Sequence, residues 1–233
     1  FDLVATAEGF WLAAAEGAAF FNGSQQENGR WVRFGQRDGL PGDRITALGT
    51  APDGTVWASS ELADEQSASS SLYGSYTIHQ SYLSSFAGQR WQANLRPSAS
   101  GLLHPVITSI VATADGATWL ASLGGISRFD GQTWQQFTPL DGLPGYEVFQ
   151  LLPVGNAVWA VTSGGLALFN PASQSWKSFA GVGEWANFEA VRLTADASGT
   201  VWAGSDLELR RYDGQTWQSV PIQLPDPAVE VRD

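Results

Sequence analysis

Asp38 and Asp141 open two nearly identical octets, DGLPGDRI at 38–45 and DGLPGYEV at 141–148. Two carboxylates facing one sugar could cleave a glycosidic bond, one as general acid and the other as base or nucleophile. Reuse of the same motif argues for a structural element, with Asp38 and Asp141 kept as candidate ligand contacts. Other catalytic chemistry is thinly provided. His79 and His104 are the two histidines, too few for a three-His zinc site, and H-E-x-x-H is absent. There is no cysteine, hence no thiolate metal site and no disulfide. No G-x-S-x-G elbow, phosphate loop or G-x-G-x-x-G occurs, and the D-G turns lack the alternating acidic ladder of calcium loops. The sequence therefore reads as a binding protein with no metal and no cofactor.

Recognition of a glycan or peptide by an aromatic ring beside a charge needs fewer groups. Trp185, Tyr73, Tyr76 and Tyr82 are the aromatic candidates, with His79, His104, Arg37, Arg96 and Glu184 beside them. These residues stand out because they break a repeat that accounts for most of the chain.

The repeat is written in tryptophan. Trp11, Trp57, Trp119, Trp159 and Trp202 each end a short segment such as APDGTVW or DASGTVW. Trp31, Trp91, Trp134, Trp176 and Trp217 follow in a second series, as in FDGQTW and YDGQTW. Trp185 alone has no register. In four repeats the first Trp lies ten residues before the next aromatic; in the second the gap is 29, so about 19 residues, 61–79, are an insertion. A period near 43 residues, in short Val-, Thr- and aromatic-rich segments with D-G and G-G turns, predicts four-stranded blades. A lone four-stranded sheet leaves both faces uncovered. Stacking such sheets around an axis buries both, with an indole in each wedge. The expected fold is all-β, a β-propeller of five four-stranded antiparallel blades in a single domain. The blades fall at about 2–43, 44–104, 105–146, 147–187 and 188–220, with a tail at 221–233.

The segments DGLPGDRITALGTAPDGTVWASS, ITSIVATADGATWLASLGGISRFDGQTW and DGLPGYEVFQLLPVGNAVWAVTSGGLALFN resemble the two-component regulator propeller repeat. The resemblance runs through all five repeats and implies a bacterial sensor-type domain. It makes the octets connectors between the outer strand of one blade and the inner strand of the next. Leu40 and Leu143 should tuck under the blade edge, Pro41 and Pro144 stiffen the crossing, and Gly42 and Gly145 permit the turn. In such a meander the connectors share a face with the turns between second and third strands. The insertion, 96–106 and 180–188 would emerge there too, which makes it the expected binding face.

Composition narrows the partners. The 233 residues carry a net charge of −11, which repels phosphate backbones and argues against nucleic acid. No apolar run is long enough to insert into a membrane as a helix. Methionine is absent even at position 1, and lysine occurs once, at Lys177. The expectation is a portion of a longer polypeptide working outside the cytoplasm, in the periplasm or at the surface of a bacterium. Its function is expected to be non-enzymatic binding of a small molecule, glycan or protein. A sugar-active lyase or hydrolase and a scaffold for protein assembly are the alternatives.

Overall fold

The structure is a computed structural model that describes residues 2–14, 16–22, 30–51, 53–62, 67–70, 74–77, 80–95, 103–104, 106–179, 188–205 and 208–221. Among the described residues are five four-stranded antiparallel sheets and one two-stranded ribbon. The first sheet is β1 (Leu3–Thr6), β2 (Gly9–Ala14), β3 (Gly17–Asn22) and β4 (Arg30–Phe34). The second is β5 (Arg44–Thr50), β6 (Val56–Leu62), β9 (Gln80–Phe86) and β10 (Trp91–Leu95). Within the insertion, β7 (Ser67–Ser70) and β8 (Gly74–Thr77) pair with each other as a separate hairpin. The third sheet is β11 (Ile107–Ala112), β12 (Thr118–Ser122), β13 (Gly125–Phe129) and β14 (Trp134–Phe137). The fourth is β15 (Val148–Val154), β16 (Ala157–Thr162), β17 (Gly165–Asn170) and β18 (Ser175–Phe179). The fifth is β19 (Arg192–Ala195), β20 (Val201–Gly204), β21 (Leu209–Tyr212) and β22 (Trp217–Val220).

Each sheet is a simple meander, and the first strands β1, β5, β11, β15 and β19 lie in succession, so they form the inner edge. Side chains from one inner strand satisfy backbone groups of the next. Gln150 accepts from the Leu193 N–H at 2.8 Å and donates to its carbonyl at 3.0 Å. Ser109 Oγ accepts from the Leu151 N–H, and Asp2 from the Leu48 N–H. An unpaired strand edge would otherwise carry unsatisfied groups.

Four apolar clusters fill the seams between neighbouring sheets. In three of them, a strand-two indole of one sheet meets the strand-three aromatic and strand-four Trp of the next. Trp119 lies 4.8 Å from Phe169 and 6.1 Å from Trp176, edge-on to both. Trp159 stands likewise against Tyr212 and Trp217, and Trp11 against Phe86 and Trp91. Trp57 and Trp134, both half-buried, belong to the seam between the second and third sheets. Burying an indole of about 200 Å² stabilises by roughly 5 kcal/mol before entropy is subtracted. The Nε1–H groups of Trp91, Trp176 and Trp217 are buried with no oxygen partner.

The DGLPG connectors behave as buried plugs. Leu40 and Leu143 are both buried, in the first and third seams respectively. The expectation for the glycines changes. The left-handed residues are Gly39 (φ 102°) and Gly142 (φ 100°), which end a single 3₁₀ turn, and neither Gly42 nor Gly145 has positive φ. Gly145 is required by proximity: a Cβ there would lie 2.5 Å from Ser163 Oγ and 2.6 Å from the Gly164 nitrogen.

Candidate functional site

In the connectors that enter the third and fourth sheets, the last residues meet the turn between strands two and three. Ser163 N–H donates to the Glu147 carbonyl at 2.8 Å, beside the Gly145–Gly164 approach. At the neighbouring position, Gly124 packs on Leu103 and His104. The connectors and second turns thus share one pole, as the meander requires.

The first half of the connector sits at the seam with the next sheet. Asp38 accepts from the Gly35 N–H at 2.9 Å. Asp141 accepts from the Thr138 N–H at 2.9 Å and from its hydroxyl at 3.1 Å. Each carboxylate closes its own 3₁₀ turn, and two complete sheets, the second and third, lie between the two loops. They do not form the facing pair that glycoside hydrolysis needs.

Arg37 lies in the first of these turns, exposed, with its carbonyl accepting from Arg90 at 3.3 Å. His104 is half-buried, and its Nδ1 accepts from the Val106 N–H at 3.1 Å. Burial depresses its pKa below the usual histidine value. Tyr82 is half-buried at the base of the insertion, opposite Ser60. Tyr76 lies in β8 opposite Ala68, and its side chain is outside the described residues. Tyr73, His79, Arg96, Glu184 and Trp185 also lie outside the described residues.

Several residues that composition did not single out are better placed. Leu140 is 91% exposed and Tyr146 is 55% exposed, both on the connector between the third and fourth sheets. Aligning the two connectors shows what differs. Leu140 stands where the other has Arg37, and Tyr146 where it has Asp43. Asp43 binds the Gln36 amide at 3.0 Å, whereas the corresponding loop has Pro139 and leaves Tyr146 free to project. Glu61, almost buried at the insertion's base, pairs with Arg44 at 2.7 Å. A Ser81 hydroxyl without a hydrogen-bond partner is buried on the opposing strand position.

Two cavities among the described residues lie at the opposite pole. One, of about 370 Å³, is lined by the ends of the inner strands, including Val4, Thr50, Ile110, Thr113 and Pro153. The other, of about 530 Å³, is a cleft between the fourth and fifth sheets with Trp159, Thr200, Arg211, Tyr212 and Asp213 on its walls. The acidic residues of these turns are committed to local bonds. Asp213 accepts from the Thr216 and Gln215 N–H groups. Those bonds, the Thr216 bond foremost, hold its pKa below the ordinary carboxylate value. Among the described residues no group of three His, Cys, Asp or Glu could hold a metal ion. None of their helices is long and apolar enough to cross a membrane.

No protein-family model matches the chain, and no curated protein does. Solved structures match it. The extracellular domain of a proposed one-component system protein of B. thetaiotaomicron is 18% identical, with a TM-score of 0.68 over 95% of this chain and 30% of that one. The extracellular domain of a proposed hybrid two-component system protein of the same organism is 14% identical, with a TM-score of 0.56 over 94% and 33%. PorZ, a surface component of the type-IX secretion system of Porphyromonas gingivalis, is 11% identical, with a TM-score of 0.50 over 95% and 32%. The chain spans about a third of the length of each. The fold is that of β-propeller blades. At these identities the likeness speaks for the fold alone.

Proposed function

We propose that this chain is a non-enzymatic binding propeller, the extracytoplasmic recognition part of a larger bacterial signalling or surface protein. The observation that carries the reading is the division of labour inside the repeated connector. Asp, Gly and Leu at matching positions are held by the frame, while exposed positions flanking them differ: Arg37 and Asp43 in one loop, Leu140 and Tyr146 in the other. A rigid frame with side chains varied from loop to loop is how binding surfaces are made on repeat scaffolds. The structural likeness to extracellular domains of signalling proteins supports the location and the sensor role. The self-contained bonding of Asp38 and Asp141 argues against a hydrolase built on them.

The test is a thermal-shift survey of oligosaccharides and peptides on the wild type and on a Leu140→Ser, Tyr146→Ser double variant. A ligand present at a hundred times its Kd adds about 2.7 kcal/mol, or roughly 5–10 °C for a chain of this size. The reading expects such a shift for one class of compound, and its loss in the variant without a change in the variant's own Tm. A survey with no shift, or a shift the variant retains, would contradict it.

A further inference from the structure

What the strand-two indole N–H meets differs from sheet to sheet. In the third sheet Trp119 Nε1–H donates to Thr113 Oγ1 at 3.0 Å. In the fifth, Trp202 Nε1–H donates to Asp196 at 3.0 Å. Thr113 and Asp196 hold the same place, each donating its backbone N–H across the first turn, to the carbonyls of Ala117 and Thr200. In the fourth sheet that place, opposite Ala157, is taken by Val154, whose side chain has no acceptor.

Trp159 is posed like Trp119. Each stacks on the strand-four Phe of its own sheet, Phe179 at 5.4 Å and Phe137 at 5.8 Å. Each stands edge-on to the aromatic pair of the next sheet. The Trp159 Nε1–H is therefore turned toward Val154, and it has no hydrogen-bond partner among the described residues. Trp159 is only 3% exposed, so a desolvated donor is left unmatched. Trp159 and Val154 both line the cleft of about 530 Å³ between the fourth and fifth sheets.

The same comparison shows which groups the cleft lacks. In the third sheet Arg128 opposes Trp119, lies 5.5 Å from its ring centre and binds Asp115 at 3.0 Å. In the fourth, Leu168 opposes Trp159, and the first turn is the shorter Gly155–Asn156, with no carboxylate. Val154, Ala157, Trp159 and Leu168 make an apolar floor, and Tyr212 and Thr200 of the fifth sheet face it. Arg211 also borders the cleft, but it opposes Trp202 and so belongs to the face turned away from Trp159. Strands β18, β20 and β22 all run away from the cleft, so both sheets pass the chain on at the connector pole.

We propose that this cleft is a second ligand site, for an uncharged molecule whose apolar ring carries a hydroxyl or carbonyl oxygen. The ring takes up the space that a shorter turn and Leu168 leave beside the indole. The oxygen accepts from Trp159 Nε1–H as Thr113 Oγ1 accepts from Trp119. A volume of about 530 Å³ is ordinary for small-molecule sites. Asp213, a carboxylate at the rim, disfavours an anion. The inference does not rest on the connector reading, because the two sites lie at opposite poles.

The test uses benzyl alcohol and acetophenone, with toluene as the oxygen-free control. Indole N–H resonances of the isotope-labelled chain are followed by NMR, and that of Trp159 is assigned by its loss in Trp159→Phe. Both oxygenated probes are expected to shift that resonance saturably. Val154→Thr supplies the missing hydroxyl. It should slow hydrogen exchange at the Trp159 N–H. It should also weaken both oxygenated probes by about tenfold, one hydrogen bond being at stake, and leave toluene binding as it was. Leu168→Arg should fill the cleft and abolish binding of all three. No saturable shift with any probe, water alone meeting the N–H, would overturn the proposal. So would oxygenated probes that bind Val154→Thr as tightly as the wild type, or a Leu168→Arg chain, folded by circular dichroism, that binds them unchanged.

Discussion

Trp119 and Trp176 meet across the seam between the third and fourth sheets with their rings 6.1 Å apart and 88° to one another. The same orthogonal meeting recurs for Trp11 with Trp91 and Trp159 with Trp217, at 5.4 and 5.2 Å. Offset edge-to-face pairs of this kind contribute about 0.5–1.5 kcal/mol beyond the area they bury. They tie each sheet to the next across its seam.

Gly39→Ala should be more damaging than Gly142→Ala. Both positions have positive φ, which costs an L-residue about 1–2 kcal/mol. At Gly39 the new Cβ would also stand 2.0 Å from the Trp91 carbonyl oxygen, whereas at Gly142 the nearest atom is Trp176 O at 3.3 Å. Urea unfolding should therefore show a loss near the backbone cost for Gly142→Ala and a larger one for Gly39→Ala. Equal losses would mean that the connector does not press on the second sheet.

Gln150 binds both the N–H and the carbonyl of Leu193. Gln150→Leu keeps the bulk and leaves both backbone groups unmatched, a loss of about 1–3 kcal/mol. Gln150→Glu retains the acceptor but sets a carboxylate against a carbonyl, so its deficit should shrink at acid pH, where the protonated acid can donate. Denaturant midpoints at two pH values check both expectations.

Asp130 and Asp196 both have pKa values lowered from 3.8 to about 2. For Asp130 the leading cause is the Thr133 N–H, and for Asp196 it is the Ser198 hydroxyl, followed by the Trp202 indole. A carboxylate whose folded pKa is depressed stabilises the fold above its unfolded value and loses that contribution as pH falls through the folded one. Carboxyl NMR titration should give both midpoints near the folded value. Asp130→Asn and Asp196→Asn should flatten the fall in stability between the two pKa values. Midpoints at the ordinary carboxylate position would show that the turns do not hold these groups.

The spacing of indoles made strand order and the strand-two and strand-four positions legible, because one large residue per wedge is a packing requirement that recurs with every sheet. Leu40 and Leu143 were legible for the same reason. What escaped were features set by backbone geometry or by comparison between copies. The left-handed residue of DGLPG is the first glycine, and Gly145 is needed because the Ser163–Gly164 turn presses on it, which no local pattern distinguishes. The inner-edge bonds of Gln150, Ser109 and Asp2 join strands dozens of residues apart. Leu140 and Tyr146 are of common residue types, unlike Trp185 and His104, and only their difference from Arg37 and Asp43 at the matching positions of the other connector marks them.

The seams carry the account, and a double-mutant cycle on Trp119 and Trp176 tests them most directly. Each residue is replaced by Leu, singly and together, and unfolding free energies are measured in urea. The account predicts a coupling of about 0.5–1.5 kcal/mol between the two indoles. Strictly additive losses would show that the rings do not sense one another and would contradict it.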